Sequence, residues 1–101
     1  MLYERAPALR PDLTNTWYNL GRLRRLVGRY DAALAAYDEA LARGVSMPEE
    51  VRLNRAVIYS DGLHRPGDAE RELQAALAAN PKYVPALLNL GNLHEDLGRR
   101  E

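Results

Sequence analysis

Three asparagines recur at even intervals, Asn19, Asn54 and Asn89, each 35 residues from the next. A carboxamide offers both a donor and an acceptor. A row of them can pair with the backbone amides of an extended peptide without reading its side chains, or each can pack between neighbouring helices. Both readings stand at this point. Residues suited to catalysis are scarcer. His64 and His94 are the only histidines and are far apart in sequence, whereas a metal site needs several ligands in a compact set. No nucleophile–base pair is visible, since Ser46 reads as a helix cap and Ser60 as a helix-end residue. The glycine-containing stretches read as helix stops and lack the lysine of a phosphate loop. Cysteine is absent, which removes disulfides, thiolate chemistry and most structural zinc sites. No catalysis, cofactor or metal is expected.

Charge narrows the partners. Arg22, Arg24 and Arg25, with Arg29 nearby, form the densest basic patch. Yet the whole sequence holds 14 Lys plus Arg against 14 Asp plus Glu, a formal net charge of zero. A nucleic-acid binder needs surplus cations to displace counterions from phosphates, so nucleic acid is not expected as a partner. A membrane is not expected either, because no apolar run approaches the roughly 18 to 20 residues that span a bilayer. The start, MLYERAPALR, carries charge and no apolar core, unlike a signal peptide. A cysteine-free chain suits the cytoplasm, and the abundance of arginine and alanine suits a bacterial source.

The elements that must position these residues read as helices. Alanine and leucine dominate and β-branched residues are few, which favours helix. Trp17, Leu20, Leu23 and Val27 fall at steps that share one helix face, and Gly28 ends that run. Leu34, Tyr37 and Leu41 repeat the pattern, and Gly44 ends it. Ser46-Met47-Pro48-Glu49 has the form of a capping box with an early proline. Asn80-Pro81 makes a similar break. The pattern predicts helices near 13–27, 30–43, 48–61, 67–79 and 83–97, with a short one near 2–6 that Pro7 ends or kinks.

Internal repeats organise the whole. Tyr18-Asn19-Leu20-Gly21 returns as Leu53-Asn54-Arg55-Ala56 and as Leu88-Asn89-Leu90-Gly91. GRYDAALAAYDEAL (28–41) returns as RPGDAERELQAAL (65–77), and GRRE begins the pattern again at Gly98. The order is a tail of one repeat (1–13), two full repeats (14–48 and 49–83) and the first helix of another (84–101), in one domain.

These residues resemble the tetratricopeptide repeat, a degenerate unit of about 34 residues. Trp17, Leu20, Gly21, Ala33, Tyr37 and Ala40 supply its signature in the first full repeat. Ala56, Tyr59, Ala69, Ala76 and Pro81 supply it in the second, Leu90 and Gly91 in the third, and Tyr3, Ala6 and Pro11 in the N-terminal remnant. Some residues depart from it. Arg24 and His94 stand where an aromatic packs, so His94 reads as a packing substitute. Arg55 replaces a usually buried leucine, and Val45 replaces a loop proline. The second repeat carries one extra residue in its internal turn, around Gly62 to Pro66.

The resemblance implies an all-α fold, a right-handed α-α superhelix of stacked helix–turn–helix repeats, and a protein–protein interaction module that binds an extended peptide segment in a concave groove. Family correspondence lines that groove with Asn15, Tyr18, Asn19, Arg22, Arg25 and Leu26 from the first repeat. The second repeat gives Glu50, Leu53, Asn54, Val57, Ser60 and Asp61, and the third gives Leu88, Asn89, Asn92, Glu95 and Asp96. Arg22 and Arg25 at one end and Glu95 and Asp96 at the other would orient a peptide, or form solvated helix faces. The family's lysine clamp for C-terminal carboxylates is missing, because Tyr18 and Pro85 stand at two of its places. Two other functions remain beside peptide binding. One is a substrate-recruiting or regulatory segment of a larger enzyme such as a transferase. The other is a self-associating scaffold, in which the N-terminal remnant of one molecule docks head-to-tail on the last helix of another.

Overall fold

In a computed structural model, residues 13–100 are described, with side-chain burial given for 15–98. The fold is all-α, and among the described residues there is no strand. Its helices are α1 (Leu13–Leu26), α2 (Tyr30–Ala42), α3 (Pro48–Val57), α4 (Pro66–Ala79) and α5 (Val84–Arg100), with a π-helical turn, Ile58–Gly62, continuing α3. The expected short helix near 2–6 and the Pro7 kink lie outside the described residues. The chain forms two compact units that divide between Ser46 and Met47.

In the first unit α1 packs against α2. Ala33, Ala36, Tyr37 and Ala40 give α2 a buried stripe. Small residues on that stripe let the two backbones approach closely. Gly21 makes the tightest fit, because a Cβ there would stand 2.5 Å from Tyr37 Cε1. Both glycine stops form as expected. Gly28 has φ 84° and Gly44 φ 77°, the left-handed conformation that glycine adopts without a steric cost. After α1, Gly28 N–H donates to Arg25 O (3.0 Å) and Arg29 N–H to Arg24 O (2.8 Å). After α2, Gly44 N–H donates to Leu41 O (3.1 Å) and Val45 N–H to Ala40 O (3.2 Å). Each pair is the bonding pattern of a Schellman cap.

The expected apolar face of α1 is only partly buried. Leu23 is 57% exposed and Val27 64%. Tyr18, Gly21 and Arg24 meet α2: the Tyr18 ring centroid is 5.9 Å from that of Tyr37, Gly21 lies under the Tyr37 ring, and Arg24 Nη1 donates to Ala32 O at 3.4 Å. At about 100° per residue, Leu23 and Val27 lie a quarter-turn or more from that line.

In the second unit α3 and α4 pair, and α5 packs mainly on α4. Ala56, Ala69, Leu73, Ala76 and Ala86 form the core, with Leu53, Tyr59, Leu77, Tyr83, Leu90 and Leu93 packed around it. Arg55, at the place of a buried leucine, is itself buried. Its Nε lies 3.2 Å from Glu72 Oε1, and Arg52 Nη1 reaches the same oxygen at 3.1 Å. The Arg55 contact is a charge pair without hydrogen-bond alignment at Nε.

Two local expectations are corrected. Ser46 does not cap α3. The cap position falls one residue later, at Met47, which makes no side-chain cap bond. Glu49 turns instead to Asn80, whose Nδ2 donates to its Oε2 at 3.3 Å. Nor does His94 pack as an aromatic would. It is exposed, with Nε2 2.9 Å from Glu70 Oε2 on α4.

The extra residue near Gly62 is absorbed by the π-helical turn. Leu63 N–H donates to Ile58 O at 2.9 Å, a five-residue step, and such a step fits one more residue into a helical turn. His64 then takes φ 55°, so the left-handed residue of this turn is a histidine.

Candidate functional site

In the first unit, the expected lining residues lie on α1. Asn15, Asn19 and Arg22 are exposed, Tyr18 and Arg25 half-buried. Tyr18 faces two ways. Its ring centroid is 5.9 Å from that of Tyr37, and the Arg22 guanidinium lies 5.9 Å from the Tyr18 ring. Arg25 Nε is buried without a hydrogen-bond partner among the described residues. Leu26 is 71% exposed. This stretch therefore presents one carboxamide-rich, cationic helix face.

In the second unit, α3 carries Glu50, Leu53, Asn54 and Val57, all half-buried. Leu53 packs against the core, so part of its surface is committed to the fold. Asn54 Nδ2 donates to Glu50 O at 2.9 Å, and Asn89 Nδ2 on α5 donates to Pro85 O at 2.7 Å. Each bond ties a carboxamide back to the preceding turn of its own helix and fixes its direction. On α5, Leu88, Asn89, Asn92, Glu95 and Asp96 are exposed.

Five of the expected residues come together. Asp61, Asn89, Asn92 and Asp96 line one cleft of about 350 Å³ between the π-helical turn and α5. Ser60 joins them from the turn. Glu50, Leu53, Asn54 and Val57 do not line it. Sequence reasoning missed His64, Pro66, Leu93 and Leu97, which complete its wall. The available signal was the extra residue in the internal turn, because the π-helical step and the left-handed His64 bring this loop to the cleft. Among the described residues, no group of three or more His, Cys, Asp or Glu is placed to hold a metal ion. No helix among them is long and apolar enough to cross a membrane.

Tyr83 borders the start of α5. Burial, followed by the negative charges of Glu50 and Glu49, raises its pKa above the ordinary 10.0.

Residues 14–43 match one family model described as a tetratricopeptide repeat, and residues 61–101 match a second with the same description. The chain belongs to the tetratricopeptide-repeat family. No curated protein matches it. Tetratricopeptide repeats are generally protein–protein interaction modules and typically non-catalytic. Protein partners follow from that membership.

Proposed function

We propose that this protein binds an extended segment of a partner polypeptide and catalyses no reaction itself. The observation that carries the reading is the cleft between the π-helical turn and α5, where Asn89 and Asn92 stand beside Asp61 and Asp96. Pro85 O engages one amide hydrogen of Asn89. The second hydrogen and the oxygen remain as hydrogen-bonding capacity of the carboxamide, on an exposed side chain. A peptide in extended form presents alternating N–H and C=O groups, and a carboxamide can meet either. Asn19 is exposed on α1 and offers the same chemistry, whereas Asn54 on α3 is half-buried and already bonded to Glu50 O.

The test is a pull-down from cell lysate. It compares the chain with an Asn19→Ala, Asn54→Ala, Asn89→Ala triple variant, after circular dichroism shows equal helicity. The expected result is a set of partners retained by the original and lost by the variant. Identical recoveries would assign the asparagines to packing.

Self-association is a second reading, and the exposed side of α5 favours it. Val84, Leu87 and Leu88 are 57%, 47% and 62% exposed. In repeat register, Leu87 and Gly91 correspond to Trp17 and Gly21, and Gly21 receives the Tyr37 ring of α2. A Cβ at Gly91 would meet nothing within 4 Å. A helix from a second copy would fit there as α2 fits α1.

A further inference from the structure

We infer that the cleft between the π-helical turn and α5 takes a basic side chain, lysine or arginine, of the bound segment. This rests on the peptide-binding reading and adds a sequence preference to it. The volume, about 350 Å³, lies at the small end of ligand pockets, which start at roughly 300 Å³, so it suits one long side chain. The wall has two chemistries. Asp61 and Asp96 supply carboxylates from its two sides, while Pro66, Leu93 and Leu97 supply apolar surface. The lining contains no lysine or arginine.

A basic side chain matches both parts, because its stem is apolar and its head is cationic. Asp61 is exposed and accepts a hydrogen bond from Ser60 Oγ at 3.1 Å. Its acceptor capacity is far from exhausted, since a carboxylate has about four lone-pair sites. Asp96 already has an interaction within the chain, so Asp61 carries the larger share of the attraction. Asn89 and Asn92 offer carboxamide oxygens to the remaining donors of the cation. Other side chains are selected against. An acidic group would face like charge, and an apolar group would strip water from carboxylates without replacing its hydrogen bonds.

The experiment is selection of peptides from a random-sequence library displayed on phage, using the full chain, followed by affinity measurement on the selected peptides. Enrichment of lysine or arginine at one fixed peptide position is expected. Replacing that residue by norleucine should weaken binding roughly tenfold, the order expected for one charge-assisted hydrogen bond. The Asp61→Asn, Asp96→Asn double variant, checked for equal helicity, should lose the same factor and select peptides without the basic preference. Selected peptides with no basic position, or an unchanged affinity for the norleucine peptide, would overturn the inference while leaving peptide binding intact. Recovery of no peptide at all would overturn peptide binding as well. The norleucine comparison decides the matter even for a double variant that folds poorly.

Discussion

Arg55 and Glu72 form a largely buried charged contact in the second unit. Arg55 is 9% exposed, and its guanidinium also lies 5.9 Å from the Tyr59 ring. A buried pair contributes little beyond a well-packed apolar substitute, but removing one partner strands a charge away from water. Glu72→Ala should therefore destabilise the chain by about 3 kcal/mol. Arg55→Leu should cost less than that, because Glu72 keeps Arg52 at 3.1 Å as its partner and leucine brings no charge to desolvate. Urea denaturation of the two variants measures the contrast. Equal losses would mean that the pair acts through packing alone. Tyr83 adds a dependence on pH. Its folded-state pKa is raised, so the folded chain holds the phenolic proton where the unfolded chain, near 10.0, has released it. Stability should fall as pH rises above about 10, and Tyr83→Phe should make that decline shallower in denaturation curves taken at pH 9 and 11.

Helix ends show how a local rule and its exception shape the elements. Gly28 sits at φ 84° and His64 at φ 55°. A side chain in the left-handed region costs roughly 1 to 2 kcal/mol. Gly28→Ala should consequently lower stability by about 1 kcal/mol, while His64→Gly should raise it by a smaller amount, offset by the added backbone entropy of glycine. Thermal unfolding followed by circular dichroism reads both shifts. Movement in the same direction for the two variants would exclude backbone strain as the cause. Fold and site meet in this element, because the residue carrying the strain also lines the cleft. The two repeats differ here through one residue. The turn after α1 closes on glycine in a Schellman cap, whereas the turn after α3 takes a π-helical step and closes on histidine.

At the scale of the whole molecule, the zero net charge removes the self-repulsion that keeps strongly charged proteins apart. With Val84, Leu87 and Leu88 exposed on α5, the mass measured by light scattering should rise with protein concentration. A Leu87→Glu, Leu88→Glu variant should stay at the mass of one chain. A single-chain mass for the unaltered protein at the highest concentration would eliminate the self-association reading and leave partner binding unaffected. Association through a helix added beside α5 would keep to the nearest-neighbour logic of repeat proteins, in which each unit is stabilised by the one next to it.

Much of this architecture was determined by the sequence alone. Helix positions followed from apolar spacing, and the stops at Gly28 and Gly44 followed from a backbone conformation that glycine reaches most easily. The repeat of asparagines led to the family, because each unit uses one local pattern again. Tertiary structure decided what depends on distant contacts. It left Leu23 and Val27 in solvent, since the line of α1 that meets α2 runs through Gly21 and Arg24. It buried Arg55 against Glu72, 17 residues away in the sequence. It also brought His64 and Pro66 to the same cleft as Asn89 and Asp96. Spacing reports the face a residue takes on its own helix, but the neighbour that face meets is set by how helices distant in sequence pack.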